Sequence, residues 1–286
     1  MDVSIIIVNY NTLKLTSECI ESVIKNTKGL DYEIILVDNA SKDGSKESFG
    51  RDTRIKYIYS DENLGFGRAN NLGYKYSSGK YIFLLNSDTL LLNNAVYAFW
   101  KSAEESDSSI ACFGSVLLNA NGHATHSYGI FPSICSTLKN LYNLYMCKYI
   151  DEVLPASLPK VVDYVTGADL FIRRKQIEQF GLFDPDFFMY YEETELQYRY
   201  FKKGYKSVVI SGPEIIHLEG ASVNKKKRKG PRRLFFFTSM FKFMRKRYNY
   251  IGYVVFRIIA VLYLPLVIRK DNSISENKDL LRLFVL

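Results

Sequence analysis

The sequence predicts an α/β fold: a mostly parallel β-sheet flanked by helices. Short apolar runs without alternation, such as Val3-Ser4-Ile5-Ile6-Ile7-Val8 and Tyr81-Ile82-Phe83-Leu84-Leu85, read as strands covered on both faces. Amphipathic helical stretches separate these runs, and that order implies parallel pairing with right-handed crossovers. A chain of 286 residues with 47% hydrophobic content is long enough to bury such a core.

The elements follow in chain order. Val3–Asn9 is predicted as a buried strand and Asn11–Asn26 as an amphipathic helix. Glu33–Asp38 is a second buried strand, leaving through Asp38-Asn39-Ala40-Ser41. Ser45–Phe49 reads as a short helix and Ile55–Tyr59 as a third strand. A helix is expected over Gly67–Ser77, with its turn closing at Gly79. Tyr81–Leu85 is the fourth strand and runs into Asn86-Ser87-Asp88. Asn93–Glu105 reads as helix and Ile110–Leu118 as strand. Asn119–Pro159, with Asn-Gly and Phe-Pro turn signals, is expected to be irregular. Regular pattern returns over Val161–Arg173, with Tyr164, Val165, Phe171 and Ile172 as buried positions. Phe187–Lys203 is predicted helical, closing on Gly204, and Lys206–Ile210 and Glu214–Leu218 as short strands. The run Lys225-Lys226-Lys227-Arg228-Lys229, followed by Gly230-Pro231, marks a boundary. The expected organisation is one α/β domain over 1–222, in halves 1–118 and 119–222, and a basic aromatic helical segment over 223–286.

The net charge of +8 is unevenly placed. Residues 221–270 hold fourteen Lys and Arg and no Asp or Glu, which leaves the rest of the chain net acidic. Segregated charge points to a polyanionic surface as partner for that segment alone. The four cysteines lack metal-ligand spacing, and a disulfide framework is not expected in a chain of this size. The opening Met1-Asp2 leads straight into a strand without the basic leader or cleavage site of a secretory signal, which points to a cytoplasmic location.

Ligands of open α/β sheets gather at the carboxyl ends of the strands. Asp38 sits at such an end. It either caps the next turn, helped by Asn39 and Ser41, or accepts the imide N–H of uracil or thymine. Asp88 ends the fourth strand and either caps the following helix or ligates a divalent cation. His217, in Ile215-Ile216-His217-Leu218-Glu219-Gly220-Ala221-Ser222, is either a satisfied core histidine or a second metal ligand. The block Phe187-Phe188-Met189-Tyr190-Tyr191-Glu192-Glu193-Thr194-Glu195 sets three carboxylates beside four aromatics. The acids suit a helix N-terminus, and the aromatics can exclude water and lift a carboxylate toward a general base's working range.

Together these segments resemble the family 2 glycosyltransferases of GT-A fold. Val8-Asn9-Tyr10-Asn11 with Val37-Asp38-Asn39-Ala40-Ser41 matches the family's "VNYN…VDNAS". Asn63-Leu64-Gly65-Phe66-Gly67-Arg68-Ala69-Asn70-Asn71 matches "NxGFxxxNN". That form is often associated with dTDP-rhamnose or UDP-furanose donors, and a related branch carries Arg at the place of Asn70. Asn86-Ser87-Asp88 occupies the place of the Asp-x-Asp motif, Gly167-Ala168 that of the "xGA" turn beside the donor sugar, and His217 opens the family's "HxxGxS". Phe183 to Arg199 resembles "FDexFFmYyEDxDLcxR", with Glu193 and Glu195 where Asp is usual.

The resemblance implies that Val8, Asn9, Asn11, Asp38, Asn39, Asn63, Gly65, Asn70, Asn86, Ser87, Asp88, Gly167 and Ala168 bind the nucleotide sugar. It implies that Asp88 and His217 hold Mn2+ or Mg2+, imidazole favouring manganese. Glu193 would be the base, with Glu192 orienting the acceptor or holding Glu193. The implied reaction is inverting transfer from a UDP- or dTDP-linked sugar to a saccharide or polyprenyl-linked saccharide, in bacterial surface-polysaccharide assembly. A nucleotidyltransferase would show a Gly-rich phosphate loop near its start, which Val8-Asn9-Tyr10-Asn11-Thr12 lacks. A non-catalytic binding protein would show broken carboxylates, whereas Asp38, Asp88, Glu192 and Glu193 are intact.

In the C-terminal segment, Phe235, Phe236, Phe237, Phe241 and Phe243 lie among Lys242, Arg245, Lys246 and Arg247. Ile251–Val267 is more apolar but is interrupted by Gly252, Arg257 and Pro265 and falls short of a spanning helix. An interfacial helix or helix pair on the anionic inner face of the cell membrane is expected. A helical hairpin packed on the α/β domain is the alternative, and nucleic acid is not expected as a partner.

Overall fold

The structure, a computed structural model of the chain, describes residues 1–145, 157–218, 229–267 and 274–285. The first half alternates as the sequence implies: β1 (Val3–Asn9), α1 (Leu13–Asn26), β2 (Tyr32–Asn39), α2 (Ser45–Phe49), β3 (Lys56–Ser60), α3 (Phe66–Lys75) and β4 (Tyr81–Asn86). Next come β5 (Thr89–Leu91), α4 (Ala95–Glu105), β6 (Ile110–Gly114), β7 (Tyr128–Gly129) and α5 (Ile134–Tyr145). The second half contains β8 (Lys160–Val162), β9 (Tyr164–Val165), β10 (Asp169–Arg173), α6 (Arg174–Phe180), α7 (Glu192–Phe201), β11 (Lys206–Val209) and β12 (Ile215–His217). Three helices close the chain: α8 (Lys229–Arg247), α9 (Tyr250–Val267) and α10 (Ile274–Val285).

The central sheet has eight strands in the order β3-β2-β1-β4-β10-β6-β11-β8. β1 to β4 are mutually parallel, and β10 enters antiparallel between β4 and β6. Strand alternation sends successive residues to opposite faces. Ile5 and Ile7 therefore join Leu36, Phe83 and Phe171 under α1 and α4, whereas Ile6 joins Ile35, Ile82 and Leu84 under α3 and α7. Burial on both faces is why these strands read as continuous apolar runs.

Two expectations need correction. Asn119–Pro159 is not irregular throughout, because α5 occupies Ile134–Tyr145. The helix expected over Phe187–Lys203 begins only at Glu192, and Tyr190 and Tyr191 adopt left-handed φ values of 68° and 65° just before it. Arg174–Phe180 also forms a helix, α6, whose N-terminus follows β10 without a loop.

A third apolar cluster joins Phe237, Phe241, Phe243, Met244, Phe256, Ala260, Leu280 and Phe284 from the terminal helices to Phe187 of the α/β domain. Phe235 packs tilted against Phe188 at 4.9 Å between ring centroids, and Phe236 meets Tyr191 at 5.3 Å. Ser239 Oγ donates to Met189 O at 2.8 Å, and Lys246 Nζ lies 2.6 Å from Asp184 Oδ2. The packed alternative thus holds for α8, which sits on the α/β domain. The basic run at 225–228 and residues Glu219 to Ser222 lie outside the described residues.

Candidate active site

The carboxyl ends of β1 and β2 lie side by side, with Asn9 opposite Asp38. Asp38 is fully buried. Its Oδ1 accepts the Ser41 N–H at 2.9 Å and its Oδ2 accepts the Tyr57 hydroxyl at 2.8 Å. Burial first, and then this bond to Asp38, push the Tyr57 phenol well above its ordinary range. Asn9 Nδ2 donates to Ser41 Oγ at 3.0 Å, while its Oδ1 accepts the Thr12 and Thr16 hydroxyls, each at 2.8 Å. Asn11, at φ 55°, donates its N–H to Ser41 Oγ and accepts the Lys42 N–H. Val8 is half-buried against the core. Asp38 therefore caps its turn, and each carboxylate oxygen still has a second lone pair for a ligand donor.

The next loop is tied to this turn. Asn39 Oδ1 accepts the Leu64 N–H at 2.8 Å, and its Nδ2 donates to Asn63 Oδ1 at 2.9 Å. Gly65 turns the chain at φ 79°, where a Cβ would stand 2.2 Å from Phe188 O. Phe66 N–H donates to that same carbonyl at 2.9 Å. Asn70 is buried, and its Nδ2 bonds back to Phe66 O. Asn71 instead brackets Phe183, donating to its carbonyl and accepting its N–H.

At the end of β4, β5 pairs antiparallel with β12, and this pairing sets His217 opposite Thr89. His217 Nε2 then lies 3.3 Å from Asp88 Oδ1 and 3.3 Å from Asn86 Nδ2. Both side chains retain slight exposure, 11% for His217 and 13% for Asp88. Ser87 Oγ is 3.3 Å from Thr12 Oγ1. Among the described residues no group of three His, Cys, Asp or Glu could enclose a metal. One carboxylate oxygen and one imidazole nitrogen within contact of each other fit a divalent ion that takes its other ligands from phosphate and water.

The start of α7 carries a second pair of acidic side chains. Glu192 is buried and Glu193 is half-buried. Burial pushes both carboxyls upward, and the neighbouring Glu193 charge pushes Glu192 further, well above the ordinary glutamate value of 4.5. Glu192 Oε2 has no hydrogen-bond partner among the described residues. Of the two, Glu192 is the harder to ionise, because it is the more buried and faces the Glu193 charge. Glu195 is committed elsewhere: it accepts two bonds from Arg199, at 3.1 and 2.9 Å, and Arg199 also donates to the carbonyls of Phe180, Gly181 and Leu182.

The two sides meet through one turn. A Cβ on Gly167 would lie 3.7 Å from Glu193 Cβ and 3.4 Å from the Phe66 ring. The next residue, Ala168, accepts the Asn86 N–H at 3.0 Å. Gln197 holds α7 on β9, accepting the Val165 N–H at 2.9 Å and donating to Val165 O at 2.8 Å.

Sequence reasoning missed Tyr57, Gln197 and Asp169. Asp169 opens β10, fully buried, with Oδ2 accepting the Ser115 N–H and hydroxyl at 2.8 and 2.6 Å. Burial pushes it up to about 7 against the lowering effect of Ser115. A carboxylate inside an apolar strand was its signal.

Residues 4–152 match the sequence profile of the family described as Glycosyl transferase family 2. Glycosyltransferase GlyG of Streptococcus pneumoniae is 30% identical over 112 residues, covering 38% of this chain and 37% of that protein. The low-salt glycan biosynthesis hexosyltransferase Agl10 of Haloferax volcanii is 28% identical over 213 residues, 69% of this chain and 61% of that one. The chain therefore spans about a third to three-fifths of the length of these two relatives. Among solved structures, the mannosyltransferase PcManGT of Pyrobaculum calidifontis, in complex with GDP-Man and Mn2+, superposes with a TM-score of 0.59 at 13% identity. That match covers 98% of this chain and 73% of the mannosyltransferase, and it establishes the shared GT-A fold. With just over half its length inside the profile, on a sheet whose strand ends carry the motifs above, the chain belongs to glycosyl transferase family 2.

Proposed function

We propose that the protein transfers a sugar, with inversion, from a nucleoside-diphosphate donor to a hydroxyl of a saccharide acceptor. The observation that carries this reading is the pair Glu192–Glu193 at the start of α7, joined through Gly167 and Ala168 to the strand end that bears Asn86 and Asp88. Glu193 takes the proton of the acceptor hydroxyl. The acceptor oxygen forms its bond to the anomeric carbon as the bond to the diphosphate oxygen breaks, and the electron pair leaves on the diphosphate. Burial raises the Glu193 carboxyl toward the working range of a general base. A double displacement needs a nucleophilic carboxylate, and a base acting alone inverts configuration.

Asp88 and His217 would hold Mn2+ or Mg2+, which when bound supplies positive charge to the leaving diphosphate. Asp38 would accept the imide N–H of uracil or thymine, and Asn9, Asn11, Asn39 and Asn63 build the turns that present it. UDP- and dTDP-linked sugars, dTDP-rhamnose among them, are the donors this recognition favours. The acceptor class is a saccharide or polyprenyl-linked saccharide at the cytoplasmic face of the membrane, in surface-polysaccharide assembly. The likeness to Agl10, a glycan biosynthesis hexosyltransferase, supports glycan assembly, and the segregated basic charge supports the membrane face.

Calorimetric titration with a panel of nucleotide sugars, with Mn2+ or EDTA, tests the donor. A uridine or thymidine diphosphate sugar should bind, and Glu193→Gln should keep that binding while losing at least about 10²-fold in transfer. Transfer by Glu193→Gln at the parent rate refutes the assignment.

A further inference from the structure

The terminal helices enclose a groove of about 550 Å3 between α8, α9 and α10. Lys242 and Arg245 of α8, Arg257 of α9 and Arg282 of α10 line it over an apolar floor that includes Phe241 and Tyr253. Asp279 is the one carboxylate of the lining, 3.9 Å from Arg282, so the cationic groups outnumber it. Arg257 is fixed: it lies over the Phe241 ring at 4.7 Å and donates to the Leu283 and Phe284 carbonyls at 3.1 and 2.9 Å. Arg245 and Arg282 are exposed.

Beside the groove runs an aliphatic face that is exposed among the described residues. Ile251, Val254, Val255, Ile258, Val261 and Leu262 of α9 are all exposed, Ile251 by 73%, Ile258 by 60% and Leu262 by 67%. At about 100° per residue they fill about 120° of the helix, and Arg257 lies about 40° from the edge at Val261. No helix among the described residues is long and apolar enough to cross a membrane. A helix with one aliphatic face bordered by cationic groups suits a bilayer interface, with the apolar face among acyl chains and the cations at phosphate level.

We propose that this groove binds the phosphate headgroup of an anionic bilayer lipid while the α9 face enters the acyl region. The inference rests on the membrane-face reading above and narrows it from a basic segment to one site.

The test is vesicle co-sedimentation of the full chain with phosphatidylglycerol or phosphatidylcholine vesicles. Two removals per bilayer-facing cation pair should cost roughly thirtyfold in affinity. Arg245→Ala with Arg282→Ala should lose that much phosphatidylglycerol binding. Lys14→Ala with Lys101→Ala, an equal charge change at exposed positions of α1 and α4, should lose little. Ile258→Glu should abolish binding with an unchanged circular dichroism spectrum. Equal loss in both double variants overturns the groove while leaving membrane association standing. No binding of the parent chain to either vesicle overturns both. Calorimetric binding of inorganic phosphate as tight as that of phosphatidylglycerol vesicles, abolished by the Arg245/Arg282 pair, would make this a free-phosphate site and overturn the lipid assignment. None of these outcomes bears on sugar transfer, so the donor reading fails or survives separately.

Discussion

Glu192 and Glu193 are neighbours with different fates, and the difference is burial. Adjacent helical residues point about 100° apart, so Glu192 turns into the protein behind Gly67 while Glu193 faces the Gly167 turn. Burial disfavours the charged form of Glu192, whose Oε2 has no hydrogen-bond partner among the described residues. The assignment predicts that Glu192→Gln costs less transfer than Glu193→Gln, and that Glu193→Asp retains measurable transfer with a shorter reach. Initial rates on one donor and acceptor check the order, and a dead Glu192→Gln beside an active Glu193→Gln reverses it. Asp88 gives a second residue-level test. Asp88→Asn should weaken Mn2+-dependent UDP or dTDP binding at least about tenfold, leaving binding in EDTA unchanged, as calorimetry would record.

Asp169 gives a third. Its folded-state value is raised from 3.8 to about 7. The folded protein therefore keeps a proton that the unfolded chain releases, and the associated stability is fully present below pH 3.8 and lost as pH rises to about 7. At about 1.4 kcal/mol per pH unit the loss is on the order of 4 kcal/mol at most. Asp169→Asn should flatten that slope and exceed the parent in urea midpoint at pH 8. A slope equal to the parent's would show that Asp169 does not titrate in this window.

At the scale of elements, the segment between Asp184 and Tyr191 is where four parts of the chain meet. Phe188 O receives the Phe66 N–H from the start of α3, and Met189 O receives the Ser239 hydroxyl from α8. Lys242 Nζ donates to Asp186 O at 2.5 Å, and α7 begins directly after the two left-handed tyrosines. Left-handed non-glycine residues cost on the order of 1–3 kcal/mol each and persist where surrounding contacts impose them. Here the contacts come from α3 and α8 together. Gly65→Ala probes the joint: its Cβ would meet Phe188 O at 2.2 Å, at φ 79°. Gly122→Ala, at φ 77° with nothing within 4 Å, isolates the dihedral cost of roughly 1–2 kcal/mol. Urea unfolding should show Gly65→Ala worse by a further 2 kcal/mol or so, and equal losses would mean that Phe188 yields.

For the whole molecule, the terminal helices are part of the α/β domain's packing as well as a surface for something else. Phe187 is fully buried in the cluster they complete, and Tyr191 and Tyr198 pack against it. Ending the chain at residue 228 would uncover these aromatics beside Glu192 and Glu193. Such a truncation should aggregate in size-exclusion chromatography and lose transfer even to a soluble acceptor. A helical segment that served only as an anchor would leave a monomeric and active remainder.

The strand–helix order, the parallel sheet and the places of Asp38, Asp88, Glu193 and His217 were legible in the sequence, because buried strands and their polar exits leave local patterns. The start of α7 was not, since Phe187 to Tyr191 carries no Gly, Pro or other local stop and is held out of the helix by Phe66 and α8. Nor was α5, whose pattern lies inside a stretch dense in turn signals. The sequence by itself determined the family, the sheet and which carboxylates are present. Only the tertiary structure decided how each is engaged: Glu195 is taken by Arg199, burial disfavours the charged form of Glu192, and Asp38 caps its turn with Ser41 and Tyr57 while keeping a lone pair on each oxygen. The reason is physical. Hydrogen bonds and desolvation depend on what the fold brings within a few ångströms, and residues such as Ser239 and Met189 lie far apart in sequence.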